Sequence, residues 1–163
     1  LGDVYKRQRV IRALEFYHLS GKRISEHNEK EREKTSPYHF AYFVLTDERP
    51  HLYANIDKRV DLMIEQGLVD EVQKLKNMGF HRDMVSMQGL GYKEILDYLD
   101  GKTTLEEAIY IIKRETRHFA KRQLTWFRRE RDVIWLDKQV YDYQDAKILD
   151  SMINILKEKT IIN

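Results

Sequence analysis

Apolar and polar residues recur along this chain at several different periods, and the changes of period mark its elements. A first helix is expected over about Gln8 to Leu19, with Ser20-Gly21 as its stop signal. From Glu26 to Lys34 charges alternate with no apolar period, so the stretch reads as a solvated helix extension or a mobile loop. His39 to Leu45, HFAYFVL, is short, aromatic and almost continuously apolar, which is the pattern of a buried strand. Leu52, Ile56, Val60, Met63 and Ile64 then recur at helical spacing up to Gly67. Asp47 is a candidate cap for that helix, and Pro50 is tolerated in its first turn.

A further helix is expected from Leu68 to Met78, closing on Gly79. Gly79 to Gly91, GFHRDMVSMQGLG, is a glycine-punctuated loop of the kind that often carries function. A short helix follows from Tyr92 to Asp100, stopped by Gly101. Thr103 with Glu106, or Thr104 with Glu107, is a capping-box signature opening a long helix of roughly Leu105 to Arg128. Beyond the charged turn 129–132, Val133-Ile134-Trp135-Leu136 predicts a second buried strand. A last amphipathic helix uses Ile148, Leu149, Met152, Ile153 and Leu156. No internal repeat or Gly/Ser linker is visible. Two strands among so many helices predict a helix-rich α/β fold. Two strands alone do not make a stable parallel sheet, so neighbouring strands are expected in sequence outside this chain.

Composition narrows the function classes. A chain of 163 residues can bury a real core, and 42% hydrophobic with 34% charged residues fits a soluble protein. No run reaches the roughly 18 to 20 apolar residues of a membrane span, and no signal peptide is visible, so a cytoplasmic location is expected. The absence of cysteine excludes disulfides, thiolate zinc sites and a cysteine nucleophile. The six histidines, at 18, 27, 39, 51, 81 and 118, are dispersed without metal-ligand spacing. No G-x-x-x-x-G-K-[ST] phosphate loop is present, and Gln88-Gly89-Leu90-Gly91-Tyr92-Lys93 is too short and wrongly spaced to be one. The chain opens on Leu1 rather than methionine, as a fragment would.

The net charge of +2 is no argument for nucleic acid, but its distribution is. On the long helix, Leu105, Ile109, Ile112, Thr116, Phe119 and Trp126 share one face, which reads as core. Arg114, Arg117, His118, Lys121, Arg122, Arg128 and Arg129 are expected on the other, with no acidic residue between Glu115 and Glu130. A phosphate backbone answers such a stripe while releasing counterions. The competing reading is a solvated face countered by acids elsewhere; the uninterrupted run favours nucleic acid. Trp126, on the apolar face, reads as a core anchor rather than a base-stacking platform. Arg59, on the shoulder of the stripe formed by Leu52, Ile56 and Met63, must reach water or an anion. Its fork suits phosphate oxygens, but a salt bridge to Asp57 or Glu65 serves equally well.

Three ordered segments carry a resemblance: Arg9-Val10-Ile11-Arg12-Ala13-Leu14-Glu15 with Ser20-Gly21-Lys22, then Gln88 to Lys93, then Ala120-Lys121-Arg122-Gln123-Leu124-Thr125-Trp126-Phe127-Arg128. With Arg59, Gly67, Glu71-Val72 and Trp135-Leu136-Asp137, they resemble the C-terminal half of the tRNA dimethylallyltransferase (tRNA isopentenyltransferase) family. The resemblance implies transfer of a dimethylallyl group from dimethylallyl diphosphate to the exocyclic amine of the adenine 3′ of the anticodon. It also implies an ATP-binding-type, P-loop-like α/β core with a helical insertion, and Mg2+ whose ligands lie outside this chain. Residues 1–36 would be the end of the insertion and 37–163 the C-terminal part of the core. Arg59 matches the arginine holding the pyrophosphate. Gln8, Arg9 and Arg12, then Gln88, Gly89, Gly91, Tyr92 and Lys93, then Lys121, Arg122, Gln123, Thr125 and Arg128 match tRNA-contacting positions.

Two departures qualify the match. The family's phosphate loop and acidic general base have no counterpart, so the chain alone is expected to be inactive, and to act as a monomer on a tRNA anticodon stem-loop. Residues 1–7, LGDVYKR, replace the usual polar turn and are open to being a cloning or assembly junction. The alternatives are a stand-alone helical RNA-binding module and an adenylate isopentenyltransferase. Lys121 to Trp126, KRQLTW, favours tRNA over a free nucleotide.

Overall fold

The computed structural model describes residues 2–162. They form two compact units, one ending at Phe40 and the other beginning at Ala41.

The first unit is a helix pair, α1 (Gly2–Ser20) and α2 (Ile24–Glu33). α1 begins six residues before the expected Gln8, because nothing between Gly2 and Arg7 breaks a helix. It stops where expected: Gly21 takes a left-handed φ of +67°, and its N–H closes on the Tyr17 carbonyl at 2.8 Å. The charge-alternating stretch is helix rather than loop. Across the turn, the Phe16 and His27 rings meet at 5.1 Å.

The second unit runs β1 (Tyr42–Thr46), α3 (Arg49–Glu65), α4 (Leu68–Asn77), α5 (Tyr92–Leu99), α6 (Leu105–Phe127), β2 (Val133–Asp137) and α7 (Asp145–Glu158). A 3-10 turn at Val85–Gln88 lies within the glycine-punctuated loop. Another, Lys138–Tyr141, follows β2 and was not foreshadowed by any pattern. The two strands pair in parallel, Val44 beside Trp135 and Leu45 beside Leu136, so α3 to α6 form the crossover between them. The fold is therefore helix-rich α/β with a small parallel sheet.

The core lies among the crossover helices: Val60 of α3, Leu68 and Val72 of α4, Met87, Ile95 and Leu96 near and in α5, and Ala108 and Ile112 of α6. Each helix contributes the stripe its period demands, and glycines at 67, 79, 91 and 101 separate them with positive φ. At α6, Thr104 Oγ1 accepts the Glu107 N–H at 3.2 Å, while the Thr103 hydroxyl donates to the Glu107 carboxylate at 3.0 Å.

Three sequence expectations need correction. The strands are not wholly buried: Val44 and Leu136 are, but Leu45 is 51% exposed and Trp135 is partly so. A two-stranded sheet leaves part of each face uncovered. Phe119 and Trp126 are not core either, being 49% and 54% exposed. The buried cluster reaches α6 only as far as Ile112, so the same face farther along has no apolar surface to pack on. Phe127 secures the end of α6 instead, its ring meeting Tyr42 of β1 at 6.1 Å. Asp47 does not cap α3. The N-cap is Glu48, with no side-chain cap bond, and the Asp47 carboxylate is engaged elsewhere.

Candidate nucleic-acid interface

α3 and α6 pack antiparallel, and a charge ladder joins them. Arg117 Nη1 donates to both carboxylate oxygens of Asp57, at 2.7 and 2.9 Å. One turn away, Lys113 Nζ lies 2.6 Å from Asp61 Oδ1. Four-residue spacing on both helices brings these rungs into register. Arg117 therefore faces α3, not the cationic side where the helical period alone placed it.

The other cations of α6 divide along its length. Arg114 pairs with Glu115 at 2.9 Å and lies over the Tyr110 ring at 5.9 Å. His118 sits 3.7 Å from the same Glu115 carboxylate, which these contacts hold below its ordinary pKa, the Arg114 hydrogen bond first. Lys121, Arg122, Arg128 and Arg129 are exposed and have no carboxylate partner among the described residues. Arg122 lies over the Phe119 ring at 5.8 Å. Thr125 donates its hydroxyl to the Lys121 carbonyl at 2.9 Å, and Gln123 is exposed. The cationic surface is thus the last two turns of α6 and the residues just past its end, with exposed Phe119 and Trp126 beside them. This combination of charge and aromatic faces suits a polynucleotide.

Beside that surface opens a cavity of about 220 Å³. Thr46, Asp47, Arg49, Leu52 and Tyr53 line it from the β1–α3 side, and Lys121, Leu124, Thr125 and Arg128 from α6. Asp47 is only 7% exposed in its side chain. It accepts from His51 Nδ1 at 2.5 Å, the Tyr143 hydroxyl at 3.0 Å and the Glu48 N–H at 2.8 Å. Burial works to raise its pKa, but these hydrogen bonds outweigh it and hold the carboxyl below its ordinary value. The His51 and Tyr143 rings pack edge to face at 4.6 Å. Sequence reasoning missed Arg49 and Tyr53. Their signal was present: 49, 53, 57 and 61 continue one four-residue row facing α6.

The glycine-punctuated loop is held from within. Gly91, buried at φ +103°, donates its N–H to Glu94 Oε2 at 2.9 Å, and Glu94 is itself buried. Tyr92 donates its hydroxyl to Glu71; that bond first, and then burial, raises its pKa. Gln88 and Gly89 are exposed at the loop surface, and Lys93 is partly so.

Arg59 is exposed and makes no ion pair with a described residue. Asp57, one of the two carboxylates considered for it, is committed to Arg117. Arg59 is not among the residues lining the α3–α6 cavity, so the structure does not bring it together with Lys121 and Arg128. Gln8, Arg9 and Arg12 lie exposed on α1 in the other unit. Among the described residues no group of three or more His, Asp or Glu side chains could hold a metal ion. No helix among them is long and apolar enough to cross a membrane.

Comparison with known proteins adds independent observations. Residues 3–130 match the family model for IPP transferase. The tRNA dimethylallyltransferase of Lachnoclostridium phytofermentans is 59% identical over 155 residues, covering 95% of this chain and 49% of that protein. The one from Acetivibrio thermocellus is 49% identical over 145 residues, covering 89% of this chain and 46% of the relative. The chain thus spans about half the length of the curated relatives it matches. Among solved structures, it superposes with a TM-score of 0.71 on the tRNA isopentenylpyrophosphate transferase of Bacillus halodurans, at 46% identity, over 94% of this chain and 46% of that one. The Staphylococcus epidermidis enzyme gives 0.73 at 35% identity, over 95% of this chain and 49% of that one.

Proposed function

Because the chain belongs to the IPP transferase family, we propose that it is the tRNA-gripping part of an enzyme that moves a dimethylallyl group from its diphosphate to tRNA. The acceptor is the exocyclic amine of the adenine 3′ of the anticodon. The observation that carries this reading is the far end of α6, where Lys121, Arg122, Arg128 and Arg129 stand exposed without a carboxylate partner among the described residues. Their distribution matches a phosphate backbone, whose contacts position the RNA without reading its sequence. Exposed Trp126 and Phe119 offer faces for an unstacked base. An anticodon-loop adenine must leave its stack before its amine can be reached.

Arg59 has the role of a pyrophosphate ligand in this reading. Its planar fork would stabilise the charge that grows on the leaving group as the allylic carbon–oxygen bond breaks. Its having no carboxylate partner among the described residues supports that role. Gln8, Arg9 and Arg12 on α1, and Gln88, Gly89 and Lys93 on the loop before α5, add RNA contacts. Gly91 and Tyr92 set the shape of that loop. In this reading the P-loop-like remainder of the core, with the phosphate loop and the general base, would lie outside the segment spanned by this chain. Mg2+ would take its ligands from outside this chain, since the described residues gather no group of three or more His, Asp or Glu side chains that could hold it. A monomer acting in the cytoplasm completes the reading. The family match favours it over a stand-alone RNA-binding module, and the unpaired α6 cations favour tRNA over a free adenylate.

The test has two parts. Incubated with labelled dimethylallyl diphosphate and an anticodon stem-loop, the chain should bind the RNA and transfer no label, whereas a full-length counterpart should label adenine. Alanine at Lys121, Arg122 and Arg128 together should flatten the salt dependence of RNA binding by about three charges. An unchanged slope in the triple variant would return α6 to an ordinary solvated helix.

A further inference from the structure

The charge ladder between α3 and α6 changes character partway along. On α6, Lys113, Arg117 and Lys121 succeed one another at four-residue intervals on one side. On α3 the facing row reads Asp61, Asp57, Tyr53 and Arg49 in the opposite direction. The first two rungs are closed ion pairs, Lys113 with Asp61 and Arg117 with Asp57. At the third rung the α3 row offers Tyr53 rather than an acid, and beyond it Arg49; both line one cavity with Lys121. The cavity of about 220 Å³ opens at this point, with Arg49, Lys121 and Arg128 all in its lining.

None of these three cations has a carboxylate partner among the described residues. The one acid in the cavity wall, Asp47, already accepts from His51, Tyr143 and the Glu48 N–H. Arg49, Lys121 and Arg128 outnumber the single Asp47 carboxylate in this lining, so the wall carries net positive charge that an entering anion would answer. Tyr53 brings a hydroxyl group to the space, which is several water volumes large; the Thr125 hydroxyl is already donated to the Lys121 carbonyl.

We propose that this cavity binds a phosphate group, with Arg49 as a ligand alongside Lys121 and Arg128. The inference rests on the reading of α6 as the RNA-facing element and adds to it a second wall from α3. The phosphate comes from the backbone of the bound RNA or from a free diphosphate; the chemistry of recognition is the same, and experiment separates the sources.

The test uses Arg49→Gln and Arg49→Lys in the chain, with an anticodon stem-loop RNA and inorganic pyrophosphate as probes. With a backbone phosphate, Arg49→Gln weakens RNA binding about tenfold and lowers the salt slope by about one charge, and lysine restores the slope. With a free diphosphate, pyrophosphate binding measured by calorimetry is lost in Arg49→Gln while RNA affinity holds. Either result supports the site. If Arg49→Gln lowers the melting temperature, Arg49→Met provides the same readouts from the same position. Unchanged binding of both probes in well-folded variants overturns the inference. A flattened slope in the Lys121, Arg122 and Arg128 triple variant, with Arg49 silent, would confine the failure to the cavity and leave the RNA reading standing.

Discussion

Arg117 of α6 holds both oxygens of Asp57 of α3, 60 residues earlier in the chain, through a single guanidinium nitrogen. Both side chains are about a third exposed, so screening limits the pair to about 1 kcal/mol of coupling. A double-mutant cycle of Asp57→Asn and Arg117→Met, read by urea unfolding, should recover a coupling of that order. Additive single losses would show that the bond contributes nothing beyond packing. Asp57→Asn alone should also free a cation beside the α6 surface and strengthen RNA binding at low salt.

The Asp47 carboxylate predicts an acid-sensitive element. Its folded-state pKa lies below its unfolded value, so its contribution is fully present above the ordinary aspartate range and is lost as pH falls through the folded value. The gap in unfolding free energy between the wild type and Asp47→Asn should therefore be constant from neutral pH to about pH 4 and shrink below it. Denaturant melts across that range check the point. A gap that widens on acidification would contradict the hydrogen-bond account.

Arg59 is best tested in a full-length enzyme of the family. Arg59→Lys keeps the charge without the planar fork and should retain part of the activity, while Arg59→Ala should retain much less. A loss of about 2 to 4 kcal/mol in transition-state stabilisation is expected, with tRNA affinity nearly intact. A variant that melts early yet turns over normally when cooled would make Arg59 a structural residue.

Gly91 should tolerate no side chain. There is room for a Cβ, whose nearest neighbour is Leu68 at 3.9 Å, but φ of +103° lies where other residues rarely go. Gly91→Ala should cost about 1 to 3 kcal/mol through backbone strain, measurable as a lowered denaturation midpoint. A neutral substitution would mean that the loop relaxes away from this geometry.

Much of this architecture could be read from local chemistry. Helices α4, α5 and α6 fall within a residue of their expected ends because glycine, threonine and acidic residues punctuate them. The unpaired cations at the end of α6 were visible as a run without acids. Periodicity, however, reports which face a residue occupies, not how far the partner surface extends. That is why Trp126 and Phe119 looked buried and are not. Arg117 was misplaced for a related reason: it sits at the edge of its face, and a carboxylate 60 positions away decided its direction. Arg49 and Tyr53 were missed because their four-residue row with Asp57 and Asp61 is visible in the segment, but what it faces is decided only when α6 packs against it.

The repeating interval of the α3–α6 ladder means that its charges cannot count. If α6 slid by one turn, Asp61 would meet Arg117, Asp57 would meet Lys121 and Glu65 would meet Lys113, so no ion pair would be lost and one would be gained. Electrostatics alone therefore does not select the observed alignment. What distinguishes the observed one is the irregular apolar seam of Val60, Ala108 and Ile112, whose unequal sizes fit in only one phase. Enlarging Ala108 while trimming Ile112 would blur that phase without touching a single charge. The shifted alignment would neutralise Lys121 and so withdraw a cation from the cavity.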